Sequence, residues 1–215
     1  MAGPFPDFDP AERVADGVIH VVGVGVGLVA IVVLLAVGLP GADAATAVSL
    51  PLYAAGLLAT LTFSALYNMA RHPERKERLR RFDHAAIFVM IAGSYTPFAL
   101  VKIGGGWGIG LLAWVWVLAL GGVVLKLTRP RRAERLSIAL YLVIGWSVLA
   151  AIVPLVEAVA PPVVALLLAG GVIYTVGVVF HLLRRLPFHN AIWHVCVLIG
   201  AACHYAAVFR AVALP

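Results

Sequence analysis

Charged residues are scarce in this chain. Its 215 residues include 16 Lys and Arg and 10 Asp and Glu, 12% in all, against about a quarter in soluble domains. That shortage excludes a soluble globular protein. Cysteine is rarer still, with Cys196 and Cys203 alone. Seven residues apart on one predicted helix, they stand about 10 Å apart along its axis. That is too far for a disulfide with each other, and they are read as small buried packing residues. The amino-terminal segment lacks basic charge: Asp7, Asp9, Glu12 and Asp16 face only Arg13, among Pro4, Pro6 and Pro10. The basic n-region of a secretory signal peptide is thereby excluded. No strand leads into Gly23, Gly25 and Gly27, so these glycines point to close helix packing rather than a dinucleotide loop. An internal repeat of the kind found in many transporters is also missing, which weighs against transport.

What the chain has in abundance is apolar sequence: 63% hydrophobic residues and a mean hydropathy of +1.03. Seven helices of about 20 residues use roughly 140 positions, which leaves short connections and no room for a soluble domain. The fold class is therefore an all-α integral membrane protein, a bundle of seven transmembrane helices. Residues 1–16 are expected as an amino-terminal tail and 17–215 as one membrane domain. The spans are expected at about residues 18–37, 47–68 and 83–102, then from Trp107 to near Leu125, a fifth to about Glu157, a sixth to about Leu183, and a seventh after Pro187.

The net charge of +6 is distributed as topology rather than as a nucleic-acid surface. Of the sixteen Lys and Arg, only Lys102 and Arg210 fall opposite the tail and the basic loops at Arg71 to Arg81, Lys126 to Arg135 and Arg184 to Arg185. The positive-inside rule then places the amino terminus in the cytoplasm and the carboxyl terminus outside.

That topology gathers three polar stretches at the cytoplasmic end. SALYN (Ser64 to Asn68) ends the second span, Asp83 and His84 open the third, and HNAIWH (His189 to His194) opens the seventh. Asn190, His194, Val197, Ala201 and His204 share one helical stripe, which faces the interior because polar groups toward lipid are costly. His204 lies about 15 Å beyond His194, so one metal cannot take both. His20 reads either as a member of this site or as a hydrogen-bonded interior residue. Capping is the competing account: Asp83 as an N-cap stapled by Phe82 and Ile87, Asn190 as an N-cap after Pro187, and Asn68 as a C-terminal cap. Tyr95, Thr96 and Pro97 mark a helix distortion.

SALYN, then RRFDHAAIFVMIAGSYTPF (Arg80 to Phe98), NAIWH and CHYAAV together resemble the haemolysin III family of bacterial membrane proteins, relatives of the progestin and adipoQ receptors. The resemblance implies a seven-helix bundle in a bacterial inner membrane. It also implies a zinc held by three histidines, one from Ser-x3-His and two from His-x3-His, with an aspartate at the start of the third helix holding a metal-bound water. Hydrolysis of ceramide-like lipid amides is the chemistry ascribed to some relatives. Ser64, Asp83 and His194 fall on family positions, but Asn68 and Asn190 stand where two histidines belong, and His189 is one position early.

Asparagine oxygen is a weak zinc donor, so zinc at the family position is expected to be weak or absent. The two amides keep the pocket polar, as a hydrogen-bonded cluster around His194; His84 or His189 joins only if the helix starts are irregular. Two function classes follow. One is a lipid-responsive, receptor-like protein with a degenerate metal site. The other is a lipid amide hydrolase with Asp83 as general base and Ser64 in support. Cytolysis, suggested by the family name, fits poorly with spans so poor in internal charge. Membrane lipid is the expected partner in each case, and nucleic acid is not. A reporter fused after Pro215 should behave as external; cytoplasmic behaviour would defeat the assigned topology.

Overall fold

A computed structural model describes residues 9–129 and 134–214 of the chain. Residues 1–8 of the expected tail, and Arg131 and Arg132 of the second basic loop, lie outside the described residues. Among the described residues, seven helices are long and apolar enough to cross a membrane: α1 Pro10–Gly38, α2 Ala44–Met69, α3 Pro73–Ile103, α4 Gly105–Thr128, α5 Glu134–Ala158, α6 Pro161–Leu182 and α7 His189–Ala213. No strand occurs among the described residues.

Helix α1 shows how such a bundle is written in sequence. Its buried positions are Asp16, His20, Gly23, Gly27, Ile31, Leu34 and Gly38, a stripe at helical spacing. The opposite face exposes Val18, Val22, Val26, Val29 and Val33. Small and polar residues face inward and valines outward, the reverse of a soluble helix, as expected where lipid is the solvent. Gly23 and Gly27 lie against Leu198 and Leu61, while Gly25 faces open space, so only two of the three glycines are packing positions.

Two helix starts differ from the expected ones. Helix α1 begins at Pro10, because Asp9 accepts the Ala11 N–H at 2.9 Å and Glu12 accepts the Asp9 N–H at 3.0 Å, a capping box with proline in the first turn. Residues 10–16, expected in the tail, are its first two turns. Helix α3 begins at Pro73, after His72 in extended conformation, which places Asp83 nearly three turns inside it. Glu, Lys and Arg are good helix formers, so the charged run before Asp83 continues the helix rather than looping. Asp83 is not an N-cap.

Two helices carry irregular segments. Beyond Pro97, α3 widens into a π-helical turn at Phe98–Ile103, the distortion expected from Tyr95, Thr96 and Pro97. Helix α5 tightens to a 3-10 segment at Trp146–Ala151 ahead of Pro154, which has no N–H to give to the turn before it. Tyr95 ties down the start of that segment. Its hydroxyl lies 2.7 Å from the Gly145 carbonyl and 2.9 Å from that of Ile144, to which it donates, and it accepts the Val148 N–H at 2.9 Å.

Helices α2 and α3 approach almost to backbone contact. A Cβ at Gly56 would sit 3.0 Å from the Val89 carbonyl oxygen, and one at Gly93 would sit 3.1 Å from that of Leu52. This close approach aligns the ends of the two helices that carry Asn68 and Asp83. At the other end of the bundle Leu34, Leu50, Tyr53, Leu57, Leu155 and Val208 form an apolar core. Substitution Gly93→Leu should force the helices apart and lower stability by about 3 kcal/mol or more. Gly25→Leu should be nearly neutral, as compared by thermal unfolding in detergent.

Candidate functional site

The residues that matter sit at the end of the bundle carrying the amino terminus. On α1, Asp16 and His20 are one turn apart and share its inward stripe. The His20 Nδ1–H donates to the Asp16 carbonyl at 2.8 Å. A carbonyl only accepts, so Nε2 carries the lone pair, and it accepts from the Asn68 amide at 3.2 Å with the Ser64 hydroxyl also at 3.2 Å. The second Asn68 amide hydrogen goes to the Ser64 carbonyl at 3.0 Å. Asn68 is therefore a cross-link from α2 to α1, and the chain turns at Ala70 in extended conformation, not through an asparagine cap.

From α7 come Asn190 and His194. The helix starts at His189 after Phe188 in a left-handed conformation (φ 59°), so Asn190 lies inside the first turn and is not the N-cap. Its amide donates to Asp16 Oδ2 at 3.2 Å and to Asn68 Oδ1 at 3.4 Å. His194 Nδ1 donates to Asp16 Oδ1 at 2.5 Å, and its ring meets that of His20 edge to face, 4.4 Å between centroids. From α3, Asp83 is buried beside the Ser64 hydroxyl and within electrostatic reach of His194 and Asp16. His84 Nε2 lies 3.9 Å from the Asp83 carboxylate and packs edge-on to Tyr67.

The arrangement brings Ser64, Asn68, Asp83, Asn190 and His194 together and adds His20 and Asp16. Asp16 was missed because the acidic, proline-rich start reads as a tail. The available signal was its place four residues before His20, on the stripe that continues through Gly23 and Gly27. His204 is separate, packed against Gly170 and Tyr174 deeper in the bundle.

A cavity of about 510 Å³ opens beside this cluster. Its polar end is lined by His20, Ser64, Asn68, Asp83, Asn190 and His194, and its deeper wall by Met90, Ile91, Tyr174, Leu198 and His204. Arg80 and Lys126, which the sequence places among the basic loop residues, also line it. Lys126 is fully buried, within reach of the Glu134 charge, and Arg80 meets Glu77 at 3.3 Å. Both cations are thus buried in the cavity wall, each beside a carboxylate.

The zinc implied by the motifs does not fit the family positions. Asn68 and Asn190 have their amides spent in hydrogen bonds to His20, Ser64, Asp16 and each other, and amide oxygen is a poor zinc donor. A different set of suitable donors is present: one ligating atom each from Asp16, His20 and His194 lies within 4.8 Å of the others, all three residues buried. Neither His84 nor His189 belongs to it. Replacing Asp16 by Leu would strand His194 Nδ1–H and the Asn190 amide in the bundle and should cost about 3 kcal/mol or more. Asp16→Asn keeps an acceptor and should cost less, read as the difference in thermal midpoints.

Comparison with known proteins agrees with this architecture. The family described as haemolysin-III related matches residues 8–205. Hemolysin-3 of Bacillus cereus is 36% identical over 197 residues, covering 92% of this chain and 90% of that protein. The Hemolysin-3 homolog of Bacillus subtilis (strain 168) is 37% identical over 209 residues, covering 97% and 98%. More distantly, the human monocyte to macrophage differentiation factor is 27% identical over 167 residues, 74% of this chain and 68% of that protein. No solved structure matches the chain. With a family match across nearly its whole length and seven membrane-length apolar helices, the chain belongs to the haemolysin-III related membrane proteins.

Proposed function

We propose that this protein is a lipid-responsive, receptor-like bundle that takes an amphiphile into its interior. The observation that carries this reading is the cavity: polar and basic at the end bearing the Asp16–His194 cluster, increasingly apolar toward Met90, Ile91 and Leu198. A lipid headgroup suits the first part and an acyl chain the second, the usual division in a small-molecule site. The bulk of the basic residues at that end supports its assignment to the cytoplasmic side of a bacterial inner membrane. A lytic pore is disfavoured, because Leu34, Leu50, Tyr53, Leu155 and Val208 pack fully buried at the far end of the bundle.

One observation favours a second reading, hydrolysis of a lipid amide. Asp83 and Ser64 stand side by side in the cavity wall near His194. Asp83 is then the general base that orients a water, Ser64 steadies its carboxylate, and His194 offers a proton to the departing amine. The first reading is tested with a photoactivatable acyl lipid in vesicles. Val197→Trp, on the cavity wall, should lower capture about tenfold, ~1.4 kcal/mol; undiminished capture by the folded variant removes it. The second is tested by fatty-acid release from ceramide. Turnover that falls at least ~100-fold in Asp83→Asn supports hydrolysis, and no turnover in the unaltered protein removes it.

A further inference from the structure

We propose that helix α1 rebuilds the metal centre that Asn68 and Asn190 leave incomplete, with Asp16, His20 and His194 together holding one divalent cation of the zinc type. The donor chemistry is right: two imidazoles and one carboxylate form a set that zinc accepts at sites with an open position. The spacing is close to right. Zinc bonds of about 2.0–2.2 Å set tetrahedral donors ~3.4 Å apart. Asp16 Oδ1 stands 2.5 Å from His194 Nδ1, and one donor atom from each of the three residues lies within 4.8 Å of the others, so side-chain shifts of about 1–1.5 Å bring them to that spacing. The Nδ1 proton that His194 donates to Asp16 is what the cation displaces, since ligands bind metal deprotonated.

The surroundings are those of a supported site. Asn190 holds the second oxygen of Asp16. His20 has a partner on each nitrogen, the Asp16 carbonyl on one and Ser64 with Asn68 on the other, so whichever nitrogen binds the ion, the other is oriented. Charge points the same way. Asp16 and Asp83 are both about 8% exposed and within each other's field, and a dication held at Asp16 offsets that repulsion. The two asparagines thus become supports for ligands rather than ligands. Asp16 is absent from the cavity lining, which puts the ion in the wall, behind the imidazoles. The assignment shares that wall with the lipid reading but does not rest on it.

The test uses the full chain in detergent, stripped with a chelator and dialysed against micromolar zinc, with bound metal counted by elemental analysis. One ion per chain is expected. Asp16→Asn and His20→Gln should each weaken binding by at least about a hundredfold, more than loss of a supporting partner does. His84→Ala and His204→Ala should leave it unchanged. Folding of each variant is followed by its thermal transition. Should a ligand variant fail to fold, the unaltered protein loaded with cobalt still decides: two histidines should show paramagnetically shifted imidazole proton resonances. An ion that persists in Asp16→Asn and His20→Gln, a single shifted histidine, or a folded protein that takes up no metal would each overturn the proposal. Lipid capture that survives in a metal-free His20→Gln variant would leave the lipid reading standing, and so separates the two.

Discussion

The carboxylate of Asp16 is the contact on which the functional end of the bundle depends. It is an acid inside a membrane helix, and such a group persists only when its charge and lone pairs are matched by neighbours. Here the neighbours are His194 on one oxygen and Asn190 on the other. Its backbone carbonyl holds His20, through which Ser64 and Asn68 of α2 join. Removing the carboxylate therefore strands two α7 donors at once, while Asn68 carries the bonds that tie α2 to α1 and α7.

The rest of the bundle keeps that cluster in place. Gly56 and Gly93 let α2 and α3 approach until backbone meets side-chain-free backbone, which brings Ser64 beside Asp83. In lipid this matters more than in water, because helices gain nothing from burying apolar surface against one another and associate through close packing and hydrogen bonds. The irregular segments of α3 and α5 obey the same constraint. Where helices depart from regular α geometry, freed backbone groups must be satisfied from within, and the Tyr95 hydroxyl does so where α5 enters its 3-10 segment.

The asparagines at the positions where the resemblance implies histidines take on a physical meaning in this setting. Asn68 and Asn190 leave no hole there: they reach each other and the α1 residues, with every amide hydrogen directed at an acceptor. The result is a polar head to a cavity whose deeper wall mixes Met90, Ile91 and Leu198 with Tyr174 and His204. Arg80 and Lys126, at its mouth, are buried rather than solvated, so part of the charge that fixes topology also shapes the site.

Much of this was legible in the sequence. Scarcity of charge and seven apolar runs determine a membrane bundle, because a lipid-facing helix tolerates little else, and the motifs place Ser64, Asn68, Asp83, Asn190 and His194 in one neighbourhood. Helix starts were less legible. Hydropathy marks where a helix meets lipid, while Pro10 and Pro73 begin helices in polar sequence through capping and propensity, and so Asp16 read as tail and Asp83 as the start of its helix. Only the tertiary structure decided that Asp16 meets His194, because that contact joins residues 178 apart and depends on how α1 and α7 are rotated about their axes. Sequence periodicity names the buried face of each helix. Which buried face meets which is set by packing among all seven.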